Sequence, residues 1–260
     1  EMHREVFDGR RDSLLLVGET PGATVEDGLL FSDPDRHEVD MVFTFEHMEI
    51  DRGPGGRFDI KPLDLLDLKA VLGGWQVGLA DIGWNALYWN NHDQPRIVSR
   101  FGDDDAYRRE SATMLATVLH LHRGTPYIYQ GEELGMTNAY FDSLDAYRDI
   151  ESVRYVEEAR ALGRATDEQL LAGLAEGSRD NARTPMQWDE SENAGFTTGT
   201  PWLPVNANYR AVNAEAAKRD PDSIFHYYRR LVQLRHDDET VRAGDFEMLL
   251  ADHPQVYAFR

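Results

Sequence analysis

The sequence predicts an α/β protein with a parallel sheet, on three observations. Short apolar runs alternate with longer segments of helical periodicity, as they do in successive β–α units. Acidic or amide side chains follow each apolar run, at the edge where parallel strands end together. The chain has 260 residues, of which 41% are hydrophobic and 28% charged, as in an ordinary globular protein. Four β–α units fit here, which is half of an eight-stranded (β/α)8 TIM barrel.

Four apolar runs are the predicted strands: residues 14–19 (LLLVGE), 39–46 (VDMVFTFE), 86–93 (ALYWNNHD) and 125–133 (TPYIYQGEE). Apolar residues at helical spacing predict helices over 65–83 and 107–124, the second closed by Gly124 at its C′ position. The opening residues 1–12 are typical of the end of a helix. Each strand is therefore followed by a segment that can cover the sheet.

The second half of the chain departs from this alternation. Residues 140–213 are first charged and helical and then rich in Asn, Gly, Thr and Pro, which indicates an insertion over the active face. A strongly amphipathic helix over 224–241 would close the barrel domain, which we place at residues 1–244. Residues 245–260 alternate like the first strands of a C-terminal β domain, a β-sandwich that the chain contains only in part.

Composition limits the partners. The formal net charge is −20, from 47 acidic and 27 basic residues, whereas a nucleic-acid surface needs the opposite balance. No apolar run is long enough for a membrane span. Cysteine is absent, which removes disulfides and thiolate metal sites and fits the cytoplasm. The chain opens on Glu1 and stops inside a strand-like run, so we expect it to be cut at both ends, and targeting cannot be judged.

Two segments carry the main candidate catalytic groups. Glu19 ends the first strand in VGETPG, where a partly desolvated carboxyl would suit a general acid; a structural glutamate paired with an arginine is the alternative. Asn90–Asp93 form a polar cluster that is costly to bury without a ligand or a network. His92 beside Asp93 suits a hydroxyl-rich ligand, with structural hydrogen bonding as the alternative. A metal site at His92 lacks further ligands at suitable spacing.

Other polar and aromatic residues could support such a site. Arg179 and Arg183 could grip a carboxylate or a sugar hydroxyl, or form surface salt bridges. Trp188 and Trp202 could stack on a sugar face, but packing within the loop is the role expected of each. The Glu132–Glu133 pair ends the last strand and is interpreted as support for the site and not as catalytic.

Five blocks of sequence carry a family resemblance: VGETPG, VFTFEHM, GWNALYWNNHDQPRIVSRFG, GTPYIYQGEELGMTN and SRDNARTPMQWD. In this order and spacing they resemble the oligo-1,6-glucosidase and α-glucosidase group of glycoside hydrolase family 13, the α-amylase superfamily. The resemblance covers residues 10–244. It implies the C-terminal half of the catalytic (β/α)8 barrel, strands 5–8, followed by the start of the C-terminal β-sandwich.

The resemblance also implies roles. Glu19 matches the family's general acid and base, and His92 with Asp93 match the pair that binds the sugar and stabilises the transition state. Arg179 best matches an arginine near the bound sugar, and Glu151 a glutamate that shapes the subsite beyond the scissile bond. The family's nucleophile, an aspartate in a GFRxD-type block, has no match here. A retaining site needs both carboxylates, so the missing N-terminal half of the barrel is an expected partner.

The implied activity is retaining hydrolysis of terminal α-glucosidic bonds in short oligosaccharides, α-1,6 or alternatively α-1,4, without a cofactor. Trehalose-6-phosphate hydrolase is the first alternative, although such enzymes commonly read GEMSS where this chain reads GETPG. Sucrose isomerases carry an RLDRD-like stretch where this chain reads SRFGDDDAYRR, which favours hydrolysis. A non-catalytic homologue, such as a transporter heavy subunit, would have lost the carboxylates. Alone, the chain is expected to be inactive and to self-associate or be marginally stable, because a half-barrel leaves open sheet edges.

Overall fold

The computed structural model describes residues 3–7, 10 and 14–260. The strands are β1 (Val17–Glu19), β2 (Met41–Phe43), β3 (Arg52–Gly53), β4 (Gly56–Ile60), β5 (Asn85–Tyr88), β6 (Thr125–Tyr127), β7 (Met248–Leu249) and β8 (Ala258–Phe259). The α-helices are α1 (Val25–Ser32), α2 (Leu65–Gly78), α3 (Ile97–Phe101), α4 (Arg108–Leu121), α5 (Ile150–Ala161), α6 (Asp167–Gly177), α7 (Asp180–Arg183), α8 (Ala214–Arg219), α9 (Ile224–Asp237) and α10 (Glu239–Ala243). Of the helix end predicted over 1–12, the π-helical turn His3–Phe7 is described, and the rest lies largely outside the described residues.

Strands β1, β2, β5 and β6 form one parallel sheet in chain order. Helix α1 follows β1, α2 follows β2, and α4 follows β5, so the predicted α/β architecture of successive β–α units is confirmed. The strands have three or four residues, fewer than predicted. Within the described residues, β1 and β6 each pair with one strand only, so both edges of this sheet are open.

The core lies between the sheet and its helices. Leu87 of β5 packs in one apolar cluster with Leu68 of α2 and Leu115 of α4. Helix α9 covers α4 through Tyr228 and Leu231, which is the contact expected of a closing helix. The helix predicted over 224–241 divides in two, because the side chain of Asp238 accepts hydrogen bonds from the first turn of α10 and starts a new helix.

The prediction that Gly124 caps α4 is wrong. The helix ends at Leu121 with His122 as its C-cap, and Gly124 lies beyond the C′ position. Gly124 has φ +138°, and a Cβ there would lie 2.6 Å from the carbonyl oxygen of Asn85. The glycine is thus required by the close approach of two backbones just before β6, not by the helix end.

The sequence analysis predicted neither the β3–β4 hairpin nor helix α1. Strands β3 and β4 pair as an antiparallel hairpin, on which α6 lies so closely that a Cβ at Gly177 would come within 2.4 Å of the Arg57 carbonyl oxygen. Helix α1 begins with a capping box between Thr24 and Asp27. Helices α5 and α6 share a small core of their own, around Leu174, and the segment after them is loop-like as predicted.

The last residues dock on the ends of α2 and α4. Strands β7 and β8 form an antiparallel pair, and Phe259 stacks on the buried ring of His122 with centroids 4.7 Å apart. The ammonium group of Lys69 donates to the carbonyl oxygens of Leu250 at 2.7 Å and His253 at 2.6 Å. The assignment of 245–260 to a separate β domain stays a prediction. No helix in the described part of the chain is long and apolar enough to cross a membrane.

Candidate active site

A cavity of about 240 Å³ lies where the four parallel strands end. Its lining includes Glu19, Phe43, Tyr88, Asn90, His92 and Tyr127. The ring of Phe43 meets those of Tyr88 and Tyr127 edge-on, at centroid distances of 5.3 and 4.7 Å, and the three rings form an apolar wall. Because parallel strands share one carboxyl edge, the chain brings residues from four separate segments to this cavity.

Glu19 is exposed, and its carboxylate has neither a hydrogen bond nor an ion pair among the described residues. The expectation of a partly desolvated Glu19 is therefore wrong for this chain, because β1 is an edge strand with a neighbour on one side only. The alternative of a glutamate paired with arginine is also not observed. Nearby, the buried hydroxyl of Tyr88 has no hydrogen-bond partner among these residues, and burial raises its pKa.

Hydrogen bonds hold the polar loop after β5. The side chain of Asn90 accepts from the backbone N–H of Ile97 at 2.6 Å and donates to the carboxylate of Glu132 at 2.5 Å. The side chain of Asn91 accepts from the backbone N–H of Asp93 at 2.7 Å. The two amides thus have the structural role that the sequence left open, and they fix the loop that carries the histidine and the aspartate.

The carboxylate of Asp93 faces two arginines. Its Oδ1 accepts from Nη2 of Arg183 at 2.6 Å and lies 3.5 Å from Nη1 of Arg179. Its Oδ2 lies 3.6 Å from Nε2 of His92, whose side chain is 63% exposed. Nε of Arg183 also donates to the carbonyl oxygen of His92 at 2.8 Å. Arg183, which the resemblance ranked behind Arg179, is therefore the arginine bonded directly to Asp93.

Buried Asp149 anchors both arginines. Its carboxylate accepts from Nε and Nη2 of Arg179 at 3.0 and 2.7 Å and from Nη1 of Arg183 at 3.1 Å. The hydrogen bonds to Asp149 raise the pKa of Arg179 above its ordinary value. The carboxylate of Asp180 in turn accepts from the backbone N–H groups of Arg148 and Asp149, at 2.7 and 2.9 Å. The two arginines are thus held by the buried carboxylate of Asp149, whose backbone is in turn hydrogen-bonded to Asp180.

A third cation, Arg57 of β4, completes the cluster. Its Nη1 donates to the carbonyl oxygen of Asp93 at 2.8 Å, and its Nε lies 3.1 Å from Oε2 of Glu151. The same Glu151 oxygen lies 3.5 Å from Nε of Arg179. The structure thus brings Asp93, Arg179 and Glu151 together. Arg57 was missed, because no sequence signal had indicated its hairpin.

Asp149 was missed although it stands in the DIE segment that had singled out Glu151. The sequence held a signal here, because Asp149 and Glu151 are two residues apart and Arg179 and Arg183 are four apart. Two acidic and two basic residues could have indicated that Asp149, and not Glu151 alone, pairs with the arginines. For the Glu132–Glu133 pair the expectation of support remains, since the buried Glu132 carboxylate accepts from Asn90 and from the Tyr228 hydroxyl at 2.8 Å.

Comparisons with known proteins identify the family of this chain. The catalytic-domain model of the α-amylase family matches residues 1–244. Oligo-1,6-glucosidases from Halalkalibacterium halodurans and Parageobacillus thermoglucosidasius are 54% and 55% identical over the whole chain, and a trehalose-6-phosphate hydrolase from Bacillus subtilis is 50% identical. The chain spans 46% of the length of each of these curated relatives.

Solved structures give the same result. The crystal structure of Bacillus licheniformis trehalose-6-phosphate hydrolase superposes with a TM-score of 0.94 at 47% identity, covering 99% of this chain and 46% of that one. An isomaltulose synthase from Erwinia rhapontici superposes equally well at 38% identity. Since the family model matches nearly the whole chain, the chain belongs to the α-amylase catalytic-domain family.

Proposed function

We propose that this chain supplies the acid/base and the transition-state-stabilising aspartate of a retaining α-glucosidase of the oligo-1,6-glucosidase type. On this proposal residues 1–244 are strands 5–8 of the (β/α)8 domain, and 245–260 begin the C-terminal β domain. The observation that carries it is the cavity at the strand ends, which Glu19 and His92 line together. The high identity to oligo-1,6-glucosidases supports the substrate class.

The proposed reaction has two steps. An aspartate from the part of the barrel that the relatives have and this chain does not attacks the anomeric carbon, while Glu19 protonates the leaving oxygen. Glu19 then removes a proton from water, whose oxygen attacks the glucosyl-enzyme and releases glucose with retention of configuration. The exposed carboxylate of Glu19, which has no bonded partner in the described ranges of the chain, is accessible to both proton transfers.

Asp93 has a different proposed role. Hydrogen bonds to sugar hydroxyls that strengthen as the oxocarbenium-like state forms favour catalysis over ground-state binding. Its contacts to Arg179 and Arg183 fix the carboxylate for that purpose, and His92 offers an exposed ring beside it. Glu151, held between Arg57 and Arg179, is proposed to shape the acceptor side of the site.

We place the protein in the cytoplasm, on the absence of cysteine.

Trehalose-6-phosphate hydrolysis is the second candidate, favoured by the 50% identity to a relative of that name. The test is glucose release by the complete protein from isomaltose, maltose, sucrose and trehalose 6-phosphate in parallel. We expect isomaltose to be cleaved best and Glu19→Gln to abolish the cleavage. Dominant cleavage of trehalose 6-phosphate would transfer the assignment to the second candidate. No release from any of the four would refute the proposed catalytic roles.

A further inference from the structure

An exposed tryptophan stands beside a second, wider cavity in the loop segment after α7. Trp202 is 67% exposed, so the expectation that it packs within its loop is wrong. It borders a cavity of about 550 Å³, whose lining also includes Arg148, Asn193, Pro201, Pro204 and Tyr209. This volume lies within the range of small-ligand sites, roughly 300–1,000 Å³. No part of the Glu19 cavity is shared with it.

The loop that presents Trp202 is firmly anchored. Its neighbour Leu203 is 1% exposed. The side-chain amide of Asn206 donates to both the hydroxyl and the carbonyl oxygen of Thr137, at 3.2 and 3.1 Å. On the opposite wall, the Asn193 amide donates to the carbonyl oxygens of Thr197 and Gly199, both at 3.1 Å. The indole is therefore exposed on a fixed support, which lowers the entropic cost of binding a ligand there.

The chemistry of the cavity favours a neutral, hydroxyl-rich ligand. A tryptophan face, two prolines and a tyrosine offer flat apolar surfaces, as stacking of a pyranose ring requires. Arg148 and Glu192, which both line the cavity, have opposite charges, so the charges of the lining balance. A net charge of −20 further disfavours polyanions. Arg148 directly precedes Asp149, so this cavity begins one residue from the ion-pair cluster around Asp93.

We infer that the Trp202 cavity is a second carbohydrate site, which binds a glucose unit of an α-linked oligosaccharide by stacking on the indole. The choice of an α-glucan rests on the proposed function, whereas a pyranose-stacking site follows from the cavity itself. The site would hold oligosaccharides of several units near the catalytic cavity and would add nothing to the binding of a monosaccharide glycoside.

Isothermal titration of the complete protein with isomaltotetraose tests this inference, in a Glu19→Gln background that prevents turnover. Saturating 1-deoxynojirimycin, a glucose mimic, occupies the Glu19 cavity so that only other sites respond. We expect a remaining binding event that Trp202→Ala weakens by roughly tenfold or more and Trp202→Phe largely preserves. Trp188→Ala is the matched control, because Trp188 is also exposed, at 51%, but does not line the cavity.

Kinetics separate the failure of this inference from that of the proposed function. In the active protein, Trp202→Ala should raise KM for isomaltotetraose and leave kcat/KM for p-nitrophenyl α-glucoside unchanged. Unaltered isomaltotetraose binding and KM in Trp202→Ala would overturn the second site while leaving the hydrolase intact. Equal weakening by Trp188→Ala would also overturn it. Trp202-dependent binding in a protein that cleaves no α-glucoside would retain a sugar site and refute the α-glucosidase assignment.

Discussion

The two sides of the candidate site are built on opposite principles. On one side, Glu19 ends an edge strand, is exposed and has no bonded partner among the described residues. On the other side, Asp93 contacts Arg179 and Arg183, and both arginines bind the buried carboxylate of Asp149. The structure shows no bonded partner for the Glu19 carboxylate in the residues that it describes, whereas a network that extends into the core holds the Asp93 carboxylate.

This difference matches what the two proposed roles require. A general acid and base must take up and release a proton in every cycle, which a tight pairing with arginine would oppose. A carboxylate that binds sugar hydroxyls must keep its charge and its position, and neighbouring guanidinium groups provide both. The asymmetry should therefore separate the effects of mutations on activity from their effects on stability.

The largest expected effect is on activity. Glu19→Gln and Asp93→Asn should each reduce kcat/KM for isomaltose by about 10³-fold, the scale of a lost proton donor or of a lost transition-state contact. Only Asp93→Asn should also lower Tm, by about 2–4 °C, because Asp93 has ion pairs to lose and Glu19 has none within the described part of the chain. Steady-state kinetics and thermal melts of both variants measure this contrast. A Glu19→Gln protein that retains a tenth of its activity would contradict the assignment.

The next effect concerns the anchor of the cluster. Asp149→Ala removes a carboxylate that is 3% exposed and that accepts from both Arg179 and Arg183. The two arginines then keep only the more exposed carboxylates of Asp93 and Glu151 as counter-charges. Breaking a buried pair in this way should lower the free energy of unfolding by about 4 kcal/mol. Urea unfolding measures the change. Asp142→Ala, at an exposed acidic position seven residues earlier, is the control and should leave the midpoint nearly unchanged.

The same contrast explains how far the sequence alone could reach. The sheet was predictable because each strand is an apolar run with a polar end, and Glu19, His92 and Asp93 were found because they stand at those ends. Such patterns are local in the sequence, so they can be recognised without knowledge of the tertiary structure. The β–α order and the long helices α4 and α9 were predictable in this way.

What depends on long-range contacts was not visible. Arg57 reaches Asp93 from a hairpin 36 residues earlier, and Asp149 reaches Arg179 from 30 residues before it. Charged residues are common in this chain, and nothing local distinguishes Arg57 from the others. The exposure of Glu19 was also mispredicted, because burial at a strand end depends on whether a further strand lies beside it. The same limit applies to Gly124, because the glycine is required by the close backbone of Asn85, 39 residues earlier in the chain.

A third carboxylate, which is buried, sharpens the comparison, because no cation is hydrogen-bonded to it among the described residues. Glu132 is 4% exposed and accepts from the neutral donors Asn90 and Tyr228, and burial raises its pKa from 4.5 to about 7. The folded protein therefore holds this proton more tightly than the unfolded chain does. The associated stabilisation is complete below pH 4.5 and is lost as the pH rises towards 7.

Glu132→Gln should remove this dependence. The free energy of unfolding of the wild type, relative to that of the variant, should fall by about 3 kcal/mol between pH 4.5 and pH 8. Urea unfolding of both proteins at several pH values measures the difference and cancels the titration of all other groups. A difference that stays constant with pH would show that Glu132 does not titrate in this interval. Glu110→Gln, at an exposed position of α4, serves as the control.

The smallest expected effect concerns the Arg160–Asp167 ion pair, whose geometry is nearly the same as that of the contact between Arg179 and Asp149. Arg160 donates from Nε and Nη2 to the two carboxylate oxygens of Asp167 at 2.9 and 2.7 Å, much as Arg179 does to Asp149. Both side chains are exposed, at 49% and 66%, so water and salt compete for the same contacts. Asp167→Asn should therefore shift Tm by less than about 1 °C, where the same replacement at Asp149 shifts it by several. If thermal melts gave equal shifts for the two variants, burial would not be what distinguishes the anchor, and the supporting role assigned to Asp149 would have to be abandoned.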